Sequence, residues 1–188
     1  MPRPKSSDRR AAIMSAATRV IAAQGLGAAT ATIAREAGVS NGSLFTYFDT
    51  KADLLNHLYL ELKTEMGAAA VGGMPAGAAA REQLRHMWSG WLAWAAGHPE
   101  KRRALAQLQV SDEISEATHQ AAARAMKGVA EIMEGIRAQG AMRDAPLMLV
   151  SSLMNALADA TIDFVAADPD HAEAHGRAGF EALWRMVG

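Results

Sequence analysis

The stretch "GVSNGSLFTYF", residues 38–48, decides how the chain is read. Gly38 closes a short helical pattern in which Ile33, Ala34 and Ala37 share an apolar face, at the point where a helix end calls for a left-handed residue. Val39 completes a tight turn, and the short side chain of Ser40 can cap the free N–H groups of a helix beginning at Asn41. Two short helices joined by such a turn form a helix-turn-helix. Ala34 is small where the helices cross, while Val39 and Leu44 fill the space between them. The second helix then offers its N-terminal residues to a major groove. Asn41, Ser43 and Thr46 are polar and short enough to approach bases or phosphates. Gly42 removes a side chain where backbone would meet DNA, at a cost of about 0.5–1 kcal/mol of helix stability relative to alanine. Three of the six Phe and Tyr residues of the chain, Phe45, Tyr47 and Phe48, also fall here. Leu44 and Phe48 read as a mini-core, and Tyr47 as a hydroxyl reaching a phosphate.

Working outward, a first helix is expected from near Ser6, Ser7 and Asp8, with Ile13, Ala17, Val20 and Ile21 at helical spacing and Gly25 and Gly27 as its stop. Thr30 is placed to cap the second helix, which runs to Ala37. Thr50 is placed to cap a fourth, with Asp53 three residues on in a capping-box-like pairing. That helix carries Leu54, Leu55, Leu58 and Leu62 to about Met66. "GAAAVGGMPAGAAA" (residues 67–80) is rich in glycine and holds a proline, which marks a connection. The expected organisation is therefore a DNA-binding domain over 7–66, a flexible connection over 67–78 and a larger helical domain over 79–188. Five further helices are expected at about 79–97, 100–109, 112–138, 145–166 and 170–187. With no strand-like alternation, the fold class is all-α with about nine helices.

The segments "IMSAATRVIAAQG" (13–25) and "IAREAGVSNGSLFTYFDTKADLL" (33–55) resemble the N-terminal domain of TetR-family transcriptional regulators. The shared pattern is Ile-Ala-x-x-Ala-Gly-Val-Ser-x-Gly-Ser/Thr-Leu-Tyr/Phe-x-Tyr-Phe-x-x-Lys-x-x-Leu. The resemblance implies contacts to a double-stranded DNA operator from Thr30, Thr32, Ser40, Asn41, Gly42, Ser43, Phe45, Thr46 and Tyr47. It also implies a phosphate contact from Lys51, aided by a helix N-terminus. Two departures stand out. Phe45 replaces the tyrosine usual in the family, and the segment between Gly25 and Ile33 is one residue shorter than the family spacing.

Composition fits this reading. Half of the 188 residues are apolar and 21% are charged, as in a globular chain. The net charge of −1 conceals a +4 balance over residues 1–51 and −5 over the rest. A basic N-terminal quarter suits a nucleic-acid end. Arg3, Lys5, Arg9 and Arg10 form either a solvated tail or an arm touching DNA. The absence of cysteine excludes disulfides, thiolate catalysis and zinc fingers. Neither a signal peptide nor a membrane span is indicated, so a cytoplasmic location is expected.

Beyond the connection, Leu84, Met87, Trp88 and Trp91 share one helical face, and Met126 and Met133 belong to a comparable stripe. Such side chains suit either plain core or a pliable pocket. As a pocket, these six would take an unknown apolar or aromatic small-molecule effector. The 145–166 helix is apolar nearly all round, which implies burial on two sides. With the last helix it predicts a two-fold homodimer interface formed by Leu149, Leu153, Met154, Leu157, Phe164, Phe180, Leu183 and Trp184.

Other chemistries are weakly signalled. His171 and His175 at i, i+4 could bind a divalent ion. Glu116-Ala-Thr-His119 is a single copy of a unit that di-iron bundles use twice. No Gly-x-Ser-x-Gly elbow occurs, and "GLGAAT" lacks the third glycine of a dinucleotide loop. No cofactor is expected. The leading expectation is a dimeric repressor released from a palindromic operator by its effector. The alternatives are a helical-bundle enzyme or metal protein, and an effector-independent structural DNA-binding protein.

Overall fold

The computed structural model describes residues 6–188. Among them are ten α-helices, one 3₁₀ turn and no strand. The helices gather into two compact units, residues 6–64 with 98–124 and residues 65–97 with 125–188.

The first unit contains α1 (Ser6–Gln24), α2 (Thr30–Glu36), α3 (Asn41–Leu44), the greater part of α4 (Lys51–Val71), α6 (Pro99–Leu108) and α7 (Glu116–Ala125). Helix α1 ends where Gly25, at φ +83, returns its N–H to the Ile21 carbonyl. The α1 stripe of Ile13, Ala17, Val20 and Ile21 is buried, as are Ile33 and Ala34 of α2 and Leu54, Leu55, Leu58 and Leu62 of α4. Each large apolar side chain removed from water in this way contributes about 1.5–3 kcal/mol. Helix α1 packs against both α2 and α6. Gln107 of α6 adds a polar tie by donating Nε2–H to the Ile21 carbonyl at 3.1 Å. Asn56 ties α4 to the α6–α7 loop, donating to the Glu113 carbonyl (2.7 Å) and accepting from the Ser115 N–H (2.9 Å).

The second unit holds residues 65–71 of α4 with α5 (Ala80–Gly97), α8 (Lys127–Gln139), α9 (Leu147–Ala167), the 3₁₀ turn Pro169–His171 and α10 (Ala172–Val187). Its core is built from Leu84, Met87, Trp88, Met133, Val150, Met154, Ala158, Phe180, Leu183 and Val187. Helix α9 is long and apolar enough by composition to cross a membrane, yet Val150, Met154 and Ala158 face this helical core.

Three boundaries differ from the sequence expectation. Helix α4 continues past Met66 to Val71, so residues 67–71 are helical rather than a connection. Gly67 is tolerated there because Met126 lies against it, and a Cβ would stand 2.7 Å from the Met126 sulfur. The helix expected over 112–138 starts only at Glu116, after Ser115 accepts the Thr118 N–H, and breaks at Met126 (φ −90, ψ 8) into α7 and α8. Residues 98–124, expected in the larger domain, pack with the N-terminal helices.

Candidate nucleic-acid interface

The turn between α2 and α3 is closed by the backbone. Ala37 donates to Ile33, Gly38 to Arg35 and Val39 to Ala34, at 2.9–3.1 Å. Gly38 sits at φ +70, a region that a residue with a Cβ enters only under strain. Ser40 has an extended backbone (φ −72, ψ 152), and its hydroxyl accepts the Ser43 N–H at 3.0 Å, as a cap should. After Leu44 the bonds tighten. Thr46 donates to Ser43 and Tyr47 to Leu44, so the reading segment is one α-turn with a narrow continuation to Phe48.

This geometry sorts the side chains. Leu44 and Phe48 are buried and anchor the segment. Ser40, Asn41, Gly42, Phe45 and Thr46 are exposed, and Ser43 and Tyr47 half-buried. Thr46 donates its hydroxyl to the Ser43 carbonyl at 2.7 Å, which leaves its oxygen lone pairs facing out as acceptors. Gly42 has nothing within 4 Å of the place a Cβ would occupy, so no intramolecular contact requires a glycine there. Phe45, at 40% exposure, is a large apolar ring held out in water.

Helix α4 begins as expected, with Thr50 Oγ1 accepting the Asp53 N–H at 3.0 Å, while the Asp53 carboxylate takes the Asp49 N–H at 3.1 Å. Two other expectations change. Thr30 does not cap α2. The cap position is Ala29, without a side-chain bond, and Thr30 is already inside the helix; Thr32 is half-buried on the next turn. Lys51 is half-buried and donates Nζ–H to the Leu26 carbonyl at 2.6 Å, clamping the α1–α2 loop. Its two other N–H bonds have no partner among the described residues.

Arg10 lies over the Phe48 ring at 5.3 Å, and His57 meets the same ring edge-on at 5.5 Å. Arg10 therefore covers the mini-core instead of trailing as an arm. Arg3 and Lys5 lie outside the described residues. Sequence reasoning missed this stack and the Asn56 tie, although a lone asparagine inside the α4 leucine stripe was a signal. Near the far end of the same unit, Lys63 bonds the Gln109 amide oxygen at 3.1 Å, and burial lowers its pKa.

The side chains expected to form an effector pocket do come together, as filled core. Leu84, Met87, Trp88 and Met133 are buried, and Trp91 and Met126 pack half-buried against them. An open cleft of about 540 Å³ lies instead between α5 and α10 and shares only Trp88 with that set. The expected dimer residues divide. Met154, Phe180 and Leu183 are buried within their own chain, and Leu157 and Trp184 are half-buried against its core. Met154, Phe180 and Leu183 are corrected to intrachain packing. Leu149, Leu153 and Phe164 are exposed, as is Met148.

Among the described residues no group of three His, Asp or Glu is arranged to hold a metal. His171 and His175 both bond the Asp168 carboxylate, at 3.0 and 2.9 Å, and these bonds hold its pKa below the ordinary value. His119 packs edge-on against Tyr59.

Residues 13–58, which hold α1 to the first turns of α4, match the family described as "Bacterial regulatory proteins, tetR family". The whole fold is similar to the solved structure of a protein from Shewanella sp. PV-4 described as a tetR family transcription regulator. The two share 26% identity over 95% of this chain and 97% of that one, with a TM-score of 0.85. Residues 13–58 thus match the N-terminal domain of the TetR family, and the whole fold is that of TetR-family regulators. A TetR-family regulator from Marinobacter aquaeolei VT8 shares the fold at 19% identity and TM-score 0.82, over 95% of this chain and 96% of that one. So does the FadR regulator from Bacillus subtilis, solved with stearoyl-CoA, at 22% identity and TM-score 0.70, over 95% and 99%. The matched N-terminal residues and the 26% identical regulator support a DNA-binding transcription regulator.

Proposed function

We propose that this TetR-family regulator is a homodimeric repressor that reads a palindromic operator through α3 and leaves it when a small molecule binds the second unit. The observation that carries the reading is the edge of the α2–α3 turn. Ser40, Asn41, Gly42 and Thr46 are exposed on a segment whose backbone is bonded from Ser43 to Phe48 and whose Leu44 and Phe48 are buried. A rigid, polar, open edge of this kind suits a groove, and Ser43, Phe45 and Tyr47 extend it toward the phosphates.

One such segment reads only a few base pairs. Two copies related by a two-fold axis would read half-sites about 34–36 Å, or a multiple of that, apart. The exposed apolar face of α9 supports the pairing. Release by an effector requires that its affinity differ between the DNA-bound and free states. The related FadR structure holds a small-molecule ligand of its own, which supports a ligand-binding second unit as a general reading.

The test is fluorescence anisotropy against DNA from upstream of the gene encoding the chain, over a salt series. Lys51→Ala should weaken binding across sequences and lower the salt slope by about one phosphate. An unchanged slope with a lowered melting temperature would assign Lys51 to the Leu26 clamp alone. No binding at low salt would sink the reading.

A further inference from the structure

The cleft between α5 and the first turns of α10 has a volume of about 540 Å³, within the range of small-molecule sites. Its inner surface is apolar, formed by Trp88, Leu92 and Phe180 with Gly176. The Trp88 indole N–H is already donated to the Gly176 carbonyl at 2.9 Å and the ring is 2% exposed, so it closes the floor of the cleft and offers no free donor. Gly176 keeps the cleft open, because a Cβ there would lie 3.4 Å from a Leu92 methyl and larger side chains would invade the space.

The rim is charged and unbalanced. Arg81 donates from Nη2 to both carboxylate oxygens of Glu181, at 2.6 and 2.7 Å, which neutralises Glu181. That leaves Arg85 and Arg177 against Glu173, a net positive charge. Arg85 stands on α5 with its guanidinium 4.9 Å from the Phe180 ring centre, and Arg177 stands on α10, so each of the two walls supplies one cation.

We propose that this cleft binds an amphipathic monocarboxylate, with its apolar body on Trp88, Leu92 and Phe180 and its carboxylate between Arg85 and Arg177. Guanidinium groups only donate and stay charged at any physiological pH, so they favour an anionic acceptor over a neutral one. The fork of N–H bonds matches a carboxylate. One net positive charge suits a single negative charge. The inference deepens the proposed effector reading by naming the site and the ligand class, and it rests on that reading only for the role of the ligand as effector.

The test is calorimetric titration of the full chain, without DNA, using 2-naphthoate and its neutral isostere 2-naphthamide. Naphthoate should bind at least about tenfold more tightly. Arg85→Gln and Arg177→Gln should each reduce that preference about tenfold while leaving naphthamide binding and the melting temperature unchanged. Gly176→Leu should remove binding of both; the two arginine variants carry the test if that variant fails to fold. Equal affinity for the two compounds, absence of naphthoate binding, or naphthoate binding indifferent to both arginine changes would overturn the proposal. Adding naphthoate to a preformed DNA complex separates the two readings. Release supports both. Tight, arginine-dependent binding without release upholds the cleft and rejects its role as effector site.

Discussion

The α3 edge and the outer face of α9 are both exposed, for opposite physical reasons. At α3 the exposed groups other than Phe45 are polar and small, and the backbone around them is capped by Ser40 and closed at Gly38. Water satisfies those polar groups, so their exposure costs little until DNA replaces the water. On α9, Leu149, Leu153 and Phe164 fall in one helical stripe at 48%, 40% and 65% exposure, and Met148 flanks them at 81%. Water does not satisfy that surface, and a contiguous apolar stripe of this kind marks a protein contact. One face is finished and awaits a polar partner; the other is unfinished and calls for an apolar one.

The contrast breaks first on α9. Glutamates at Leu149 and Leu153 together should convert the proposed dimer to a monomer, read by light scattering, with little change in the monomer fold because neither side chain is in the core. Operator affinity should fall by about a hundredfold or more, since the second half-site loses its effective concentration. Retention of a dimer by this variant would assign the stripe elsewhere. Gly42→Ala probes the other face. With open space around the added methyl, stability should rise by about 0.5–1 kcal/mol from helix propensity alone. Operator affinity should fall about tenfold, equivalent to roughly 1.4 kcal/mol. If affinity is unchanged, backbone approach at Gly42 is wrong.

The same contrast explains what the sequence disclosed. Turn chemistry is local, so Gly38, Ser40 and Thr50 announce their roles within three residues, and the structure bears them out. Thr30 failed because Thr30 and Ala29 compete for one cap position, and backbone geometry decided for Ala29. The end of α4 failed because Gly67 reads as a stop, whereas the alanines after it favour helix and Met126 needs the glycine for room. The break at Met126 carries no proline or capping residue to reveal it. Burial in the second unit depends on which helix faces which. A stripe on α10 therefore could not show that Phe180 and Leu183 are turned inward while Phe164 of α9 is turned out. The cleft was invisible for a related reason, because its charge balance depends on the Arg81–Glu181 pair, a hundred positions apart.

A smaller effect sharpens the α3 side. Ser40→Ala removes the cap on Ser43 and should cost about 1 kcal/mol, lowering the melting temperature by about 2–4 °C. Unlike Gly42→Ala, it should lower stability and operator affinity together, because the same hydroxyl orders the segment that reads.

The finest test is Phe45→Tyr. Phe45 is 40% exposed, and its backbone N–H is bound within the turn, to the Asn41 carbonyl at 3.4 Å. A ring so placed is costly in water and useful only when something covers it. Adding a hydroxyl to its exposed edge should leave the fold unchanged, and stability should move by less than about 0.5 kcal/mol, as for most surface changes. If the edge faces a phosphate, the hydroxyl adds one hydrogen bond to a charged acceptor and affinity should tighten about tenfold or more, since such bonds contribute about 1.5–3 kcal/mol net of lost hydration. If the ring lies against deoxyribose, the hydroxyl would be forced into an apolar contact and affinity should fall. Anisotropy at fixed salt distinguishes the two, and a weaker Phe45→Tyr complex would move Phe45 from the phosphate side of the reading edge to its apolar side.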